Sequence, residues 1–560
     1  MAVREEIIQL LAKETKRSPE EIGKMLAIPP DPKLGDYAFP CFTLGKNPKE
    51  AAEQLQRKIV LPKYLSKIAV AGPYLNFFLH QEFLAQQVLT AVRKEKKKYG
   101  AGKAKKNLVI EYCGPNTNKP LHLGHLRNMA LGNALARILA FQGNKVHPVN
   151  IINDRGIHIC QSMLAYQKWG KGKKPDKKGD HFVGDYYVLF AQKSKTDENL
   201  TKEAQELLLK WERGDKATRA LWKTMTQWVL DGFAKTYRRF GIAFEKEYFE
   251  SSYYEKGKEV VQEGLTHRIF EQDSTGAVVA PLEMYGIPNK ILLRGDETSL
   301  YITQDLYLAD LRHKDFKFDS LIYVVASEQQ LHFQQLFKII ELLKRPFASG
   351  LRHLSYGLVH LPSGRMKSRE GTVIDADDIM DEVSALAEKE VTARYPELSV
   401  VEKKKRAEAI SLAAIKFFML RTDVVRDMVF NPEESIRFDG ETGPYLQYTH
   451  ARACSILRKA GDRKGKINPE LLVQPQERKL IMALLDFPEL LQEVSSHYKA
   501  HILCRYLLDL AQAFNEFYHA HPVISDDKEL MKARLALVEA VRQVLANGLD
   551  LLGFIPLEVM

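Results

Sequence analysis

Apolar residues recur along this chain at two periods, and the changes of period divide it. Val3 to Ala12 carries apolar positions at helical spacing, and Ser18-Pro19-Glu20-Glu21 has the form of a capping box with proline at the first helical position. The loop Pro30 to Tyr37 breaks that pattern, and Ile68 to Leu79, with Gly72-Pro73 inside it, predicts strands. Arg93 to Lys106 is rich in lysine and glycine and predicts a solvated linker. Short apolar runs then alternate with helical stretches. The runs Leu108–Tyr112, Val146–Ile152, Leu321–Ala326 and Tyr356–Leu361 predict a parallel, doubly wound α/β sheet. Between the second and third runs, about 165 to 285, the chain is too long for one crossover. Its basic stretch Lys168–Lys178 and helical stretch Asn199–Phe240 predict an inserted subdomain. Beyond about 380 the period is helical almost throughout, over Val400–Val429 and Lys479–Leu551, which predicts a bundle. The expected organisation is a small α+β domain (1–100), a Rossmann-type domain (101–380) and an all-α domain (381–560).

Composition narrows the partners. A net charge of +11 favours a polyanionic partner. The five cysteines are scattered and odd in number, with no C-x-x-C pair, which argues against a zinc ribbon or disulfide framework and for a reducing compartment. No apolar run approaches membrane-span length. The first helix mixes acidic and basic residues and does not read as a targeting peptide. A cytoplasmic protein is expected.

The densest chemistry follows the run Leu108–Tyr112. Residues 115 to 125 read Pro-Asn-Thr-Asn-Lys-Pro-Leu-His-Leu-Gly-His and open a stretch, Leu123 to Leu139, that predicts a helix. His122 and His125 share the first turn, Gly124 leaves backbone that a flat ligand can approach, and a helix N-terminus favours phosphate. A metal pair at this spacing would need a third ligand that the local sequence does not supply. Residues 363 to 372, Ser-Gly-Arg-Met-Lys-Ser-Arg-Glu-Gly-Thr, place three cations between glycines, a pattern that can grip a polyphosphate.

Together these motifs resemble the class I aminoacyl-tRNA synthetases. His122-Leu123-Gly124-His125 stands for the HIGH signature, and Arg365-Met366-Lys367-Ser368-Arg369 for KMSKS. The run Glu111 to Arg127 is similar to arginyl-tRNA synthetases in particular. So are Tyr301-Ile302-Thr303-Gln304-Asp305, Tyr323 to His332, Gly443 to Arg452, Pro32 to Tyr37 and the final Met560. The second signature departs from the pattern at Arg365 and Ser368, which leaves open which cation meets pyrophosphate.

The resemblance implies ATP-dependent ligation of L-arginine to tRNA(Arg) through an arginyl-adenylate, with ATP entering as its Mg²⁺ complex and no structural zinc. It implies ATP contacts from His122, Gly124, His125, His332, Arg365, Lys367 and Arg369, with His122, His125 and Lys367 serving the chemistry. It places arginine against Glu111, Asn116, Tyr301, Asp305 and Gln329. A guanidinium needs carboxylates in a planar fork, which is consistent with that set. Tyr445, Tyr448 and Arg452 are the expected tRNA contacts, by stacking and phosphate pairing. A monomer, arginine activation that waits on tRNA, and no editing site in the insert are also expected. Lysine lacks the fork and citrulline the charge, so polar discrimination suffices. Another synthetase of the class would need basic residues at 111 and 305 for an acidic substrate. A small-molecule nucleotidyltransferase would not need the helical domain.

Overall fold

A computed structural model describes residues 3–296, 298, 300–360, 362, 374–461 and 467–560. The helix Val3–Thr15 buries Val3, Ile7, Ile8 and Leu11, the stripe its periodicity predicts. The capping box forms: Ser18 Oγ accepts from the Glu21 N–H at 3.2 Å, and the Glu21 carboxylate accepts from the Ser18 N–H at 3.1 Å. Three antiparallel strands follow, β1 (Tyr37–Pro40), β2 (Leu65–Ala71) and β3 (Tyr74–Leu79), in the order β1-β3-β2 with Gly72-Pro73 at the turn.

The segment 93–106 is not simply a solvated linker. Arg93 to Glu95 end the helix Gln81–Glu95, Lys96–Lys98 form a 3₁₀ turn, and Tyr99 is buried with its hydroxyl donating to Leu484 O at 2.8 Å. One aromatic anchor overrides the local charge there.

The central sheet has five parallel strands: β4 (Asn107–Glu111), β5 (Lys145–Ile152), β6 (Lys246–Phe249), and, after a small antiparallel sheet of β7 (Glu271–Gln272), β8 (Val278–Ala280) and β9 (Lys290–Leu293), β10 (Ser320–Ala326) and β11 (Leu351–Tyr356). Their order is β11-β10-β4-β5-β6. Alternate residues feed two cores. Leu108, Ile110, Ile322 and Val324 face one, and Val109, Leu321 and Tyr323 face the other. Burial on both faces is why β4 and β10 read as unbroken apolar runs.

Two strands differ from the sequence expectation. The sheet's edge is β11, Leu351–Tyr356, rather than Tyr356–Leu361. Val359–His360 (β12) pairs with Met428–Val429 (β13) outside the sheet, and Leu361 lies outside the described residues. An edge strand carries exposed polar residues, here Arg352, so the apolar signal was strongest beyond it. The short, polar β6 gave no apolar run. It closes the sheet from within the span read as an insert, whose long helices are Gly179–Lys193, Asn199–Glu212 and Lys216–Phe240.

The C-terminal part is helical, with Ala376–Arg394, Val400–Leu420, Gly443–Lys459, Pro475–His497, Ala500–Ala520 and Lys528–Leu551 as its long helices. The helix expected to reach Val429 stops at Leu420. The helix Leu123–Phe141 lies between sheet and bundle, which explains its burial all round.

Candidate active site

At the C-terminal end of β4 the chain turns through Cys113 and Gly114, both at positive φ (84° and 63°). The turn is held by Asn128, whose Oδ1 accepts from the Cys113 N–H at 2.6 Å and whose amide donates to Val324 O at 2.8 Å and Tyr356 Oη at 3.0 Å. One side chain thus joins the ends of three neighbouring strands. Arg127, beside it, is fully buried, and among the described residues no carboxylate forms an ion pair with it. Its guanidinium donates to the carbonyls of Gly357, Leu358, Val424 and Arg426, which ties the segment after the helix ending at Leu420 to the segment leaving the sheet.

His122 caps the helix Leu123–Phe141. Its Nδ1 accepts from the Gly124 N–H at 3.1 Å, and His125 Nδ1 accepts from the His122 N–H at 3.0 Å. The rings lie 4.0 Å apart between centroids. A ring nitrogen that accepts a backbone N–H carries no proton, so each neutral imidazole holds its proton on Nε2. Desolvation, with the Lys119 charge nearby, drives His122 down to about 3, and desolvation drives His125 well below the ordinary value. Both are therefore neutral N–H donors at physiological pH. A Cβ at Gly124 would meet His122 Cε1 at 3.0 Å, so this glycine serves ring packing as well as ligand approach.

Carboxylates gather at neighbouring strand ends. Glu111 ends β4 and is buried, ion-paired with the buried Arg312, which itself sits over the rings of Tyr248 and Tyr323 at 5.3 and 5.5 Å. Asp305 lies one turn into the helix Tyr301–Phe316, and its Oδ2 accepts from His332 Nε2 at 2.8 Å. Tyr301, four residues earlier on that helix, is exposed. Gln329, at the 3₁₀ turn after β10, and Asn116, bridged by backbone to Asn153, are exposed as well. Among the expected side chains, then, Asp305 and His332 meet directly, as do His122 and His125.

Two further acids line these strand ends and were not singled out from the sequence. Asp154 follows β5, is buried, and accepts from the Ser251 N–H and hydroxyl at 2.8 and 2.6 Å. Glu250 follows β6 directly, is buried, and lies 3.7 Å from Arg155. Desolvation lifts it to about 7, with the charges of Asp154 and Asp305 adding to the rise and Arg155 opposing it. An acid at the carboxyl end of a strand is a candidate ligand in such a sheet, and Glu250 would have stood out on that ground had β6 been legible.

Arg365, Lys367 and Arg369 lie outside the described residues. The segment after them is anchored on the histidine turn: Ala376 N–H donates to Leu121 O at 2.8 Å and Leu123 N–H to Ile374 O at 3.4 Å. In the helical domain, Tyr445, Tyr448 and Arg452 line a groove of about 340 Å³. Arg452 stacks over Tyr448 at 4.8 Å and bonds its hydroxyl at 3.2 Å, while Tyr445 Oη accepts from Asn515 Nδ2 at 2.9 Å.

A parallel doubly wound sheet with two neutral histidine donors at a strand-to-helix turn defines a class I synthetase site, and residues 86–432 match the family model for "tRNA synthetases class I (R), catalytic domain". Residues 1–79 match "Arginyl tRNA synthetase N terminal domain" and 446–560 match "DALR anticodon binding domain". The chain is similar to the arginine–tRNA ligase of Treponema denticola, 44% identical over 98% of this chain and 97% of that one, and to that of Bacteroides thetaiotaomicron, 45% identical over 81% of each. The Thermus thermophilus arginyl-tRNA synthetase structure superposes with a TM-score of 0.86 at 29% identity, covering all of both chains. The chain belongs to the arginyl-tRNA synthetase family of class I. Among the described residues no helix is long and apolar enough to cross a membrane, and all five cysteines are buried and free.

Proposed function

We propose that this chain ligates L-arginine to tRNA(Arg), using ATP as its Mg²⁺ complex and passing through arginyl-adenylate. The arginine carboxylate attacks the α-phosphate of ATP and expels pyrophosphate. The terminal ribose hydroxyl of tRNA then attacks the adenylate and releases AMP. Few covalent duties fall to the protein, so positioning and charge stabilisation carry the rate. His122 and His125 donate Nε2–H to phosphate oxygens as negative charge builds on pyrophosphate, and Gly124 keeps their rings in register. Lys367, with Arg365 or Arg369, grips the β- and γ-phosphates, and His332 contributes to the nucleotide side of the cleft.

The observation that carries this reading is the set of acids at adjoining strand ends beside two neutral imidazole donors. Asp305 is the carboxylate on the lip and takes the guanidinium of arginine, with Tyr301, Asn116 and Gln329 around it. Glu111 lies deeper, where Arg312 offsets part of its charge, and completes the acidic wall. His332 orients Asp305, so the amino-acid and nucleotide sides share one hydrogen bond. Tyr445, Tyr448 and Arg452 offer stacking faces and a cation to the anticodon loop. The enzyme acts as a monomer in the cytoplasm, needs no zinc, and activates arginine only with tRNA bound. The insert holds no hydrolytic editing site.

Asp305→Asn removes the charge and keeps the shape. With tRNA present, it should raise the arginine KM about a hundredfold, the cost of leaving a buried cation without its counter-charge, while the ATP KM stays within about threefold. An unchanged arginine KM would remove Asp305 from the amino-acid site.

A further inference from the structure

A charged cluster outside the reaction centre is wired into the histidine turn. Lys178, which precedes the helix Gly179–Lys193, places Nζ 2.8 Å from Asp180 Oδ2, 2.5 Å from Asp377 Oδ2 and 2.5 Å from Thr236 Oγ1. His181 donates Nε2–H to Asp377 Oδ2 at 3.0 Å, and its other ring nitrogen lies 3.3 Å from Asp375 Oδ2. Asp180 is fully buried and packs so closely on the insert helix Lys216–Phe240 that a Cβ at Gly232 would lie 2.3 Å from its Oδ1. The cationic side of the cluster therefore stands on a rigid helical platform. The acidic side, Asp375 and Asp377, begins the helix Ala376–Arg394.

That helix start is backbone-paired with the turn that presents the histidines. Asp375 forms an antiparallel bridge with His122, flanked by the bonds from Ala376 N–H to Leu121 O and from Leu123 N–H to Ile374 O. A shift of Asp375 is thus a shift of the His122 backbone. The hydrogen bond to Asp377 raises His181 above its ordinary value, with Asp180 and Asp375 acting the same way and burial and Lys178 opposing. Asp180, His181 and Asp377 lie close enough together to hold a metal ion, but the Lys178 ammonium already stands between their carboxylates.

We propose that Lys178 and His181 are positioning residues: through Asp377 and Asp375 they fix the register of the His122 turn, so the helical insert sets the alignment of the phosphate donors. The proposal rests on the histidine turn acting on ATP. Misplacement of a catalytic group by a fraction of an ångström to one ångström costs about tenfold to a hundredfold in rate.

The test compares His181→Gln and Asp375→Asn with Asp381→Asn by ATP–pyrophosphate exchange in the presence of tRNA, with a thermal melt for each. Asp381 pairs with Arg239 at 2.5 Å further along the same helix and, among the described residues, makes no bond to the histidine turn. His181→Gln and Asp375→Asn should lower kcat about tenfold or more with the arginine KM within about twofold. Asp381→Asn should keep its kcat. Asp375 is partly exposed and asparagine keeps its shape, so that variant decides the matter if His181→Gln fails to fold. Wild-type kcat in folded Asp375→Asn, or an equal loss in Asp381→Asn, overturns the proposal. His122→Asn in the same assay separates the two readings: a low kcat there beside a normal kcat in Asp375→Asn refutes only the positioning role.

Discussion

His122 and His125 show how a backbone fixes a proton. Each Nδ1 is occupied by a main-chain N–H, so the reactive hydrogen is confined to Nε2 on both rings. Burial then keeps the pair uncharged. Because His122 titrates near 3 and His125 well below 6.5 in the folded chain, neither ring should add a protonation step to the adenylation rate between about pH 8 and pH 6, and measuring in His181→Gln removes the raised imidazole linked to that turn. Stability behaves differently. Unfolded histidines take protons near about 6.5 while the folded ones do not, so stability should fall as pH drops through that value. A pH series of initial rates and of melting temperatures checks both. An adenylation rate that falls with apparent pKa near that of free imidazole would show that one ring is charged in the cleft. The sequence carried this pair openly, since two histidines flanking a glycine after an apolar run is a dense signal. It did not disclose Glu250 or the Asp305–His332 bond, because neither burial nor a partner twenty-seven residues away is written in local spacing.

At the scale of elements, legibility tracked burial on both faces. β4 and β10 are sandwiched between two cores and read as continuous apolar runs, whereas β6 and β11 lie at the two edges of the sheet and were missed or displaced. Edge strands answer to solvent on one side, so hydrophobic pattern loses them first. The helix Leu123–Phe141 owes its close seat on the sheet to Gly132, where a Cβ would fall 2.2 Å from Cγ of the buried Tyr112. Gly132→Ala must push the helix off the strand or force the ring from its rotamer. It should cost ~1–3 kcal/mol or more and lower the melting temperature. Since His122 and Asn128 ride on the same helix, kcat should fall with it. A melt and an exchange assay on Gly132→Ala check both, and a variant as stable as wild type would refute the packing argument.

Over the whole molecule, the N-terminal domain is fastened to the helical domain around the catalytic sheet. Arg478 donates to both oxygens of Asp36 at 2.7 Å, the same carboxylate accepts from the Leu79 N–H at 2.7 Å, and Arg4 pairs with Glu489 at 2.8 Å. Asp36→Ala leaves Arg478 half-buried without its partner, which should weaken docking by ~1–3 kcal/mol. Limited proteolysis should then cut faster near residue 80 while arginine kinetics change little, and an unchanged cleavage rate would show the ion pair to be ornamental. The resemblance to arginyl-tRNA synthetases could be read from local signatures along nearly the full chain. These long-range clasps could not, because their partners lie more than four hundred residues apart. The net charge of +11 suits a tRNA partner. The arginine specificity proposed for this enzyme is tested most directly by charging of total tRNA with each amino acid in turn. Arginine alone should become esterified, with lysine and citrulline rejected. Esterification of any other amino acid at a comparable rate, or none of arginine, would refute that specificity.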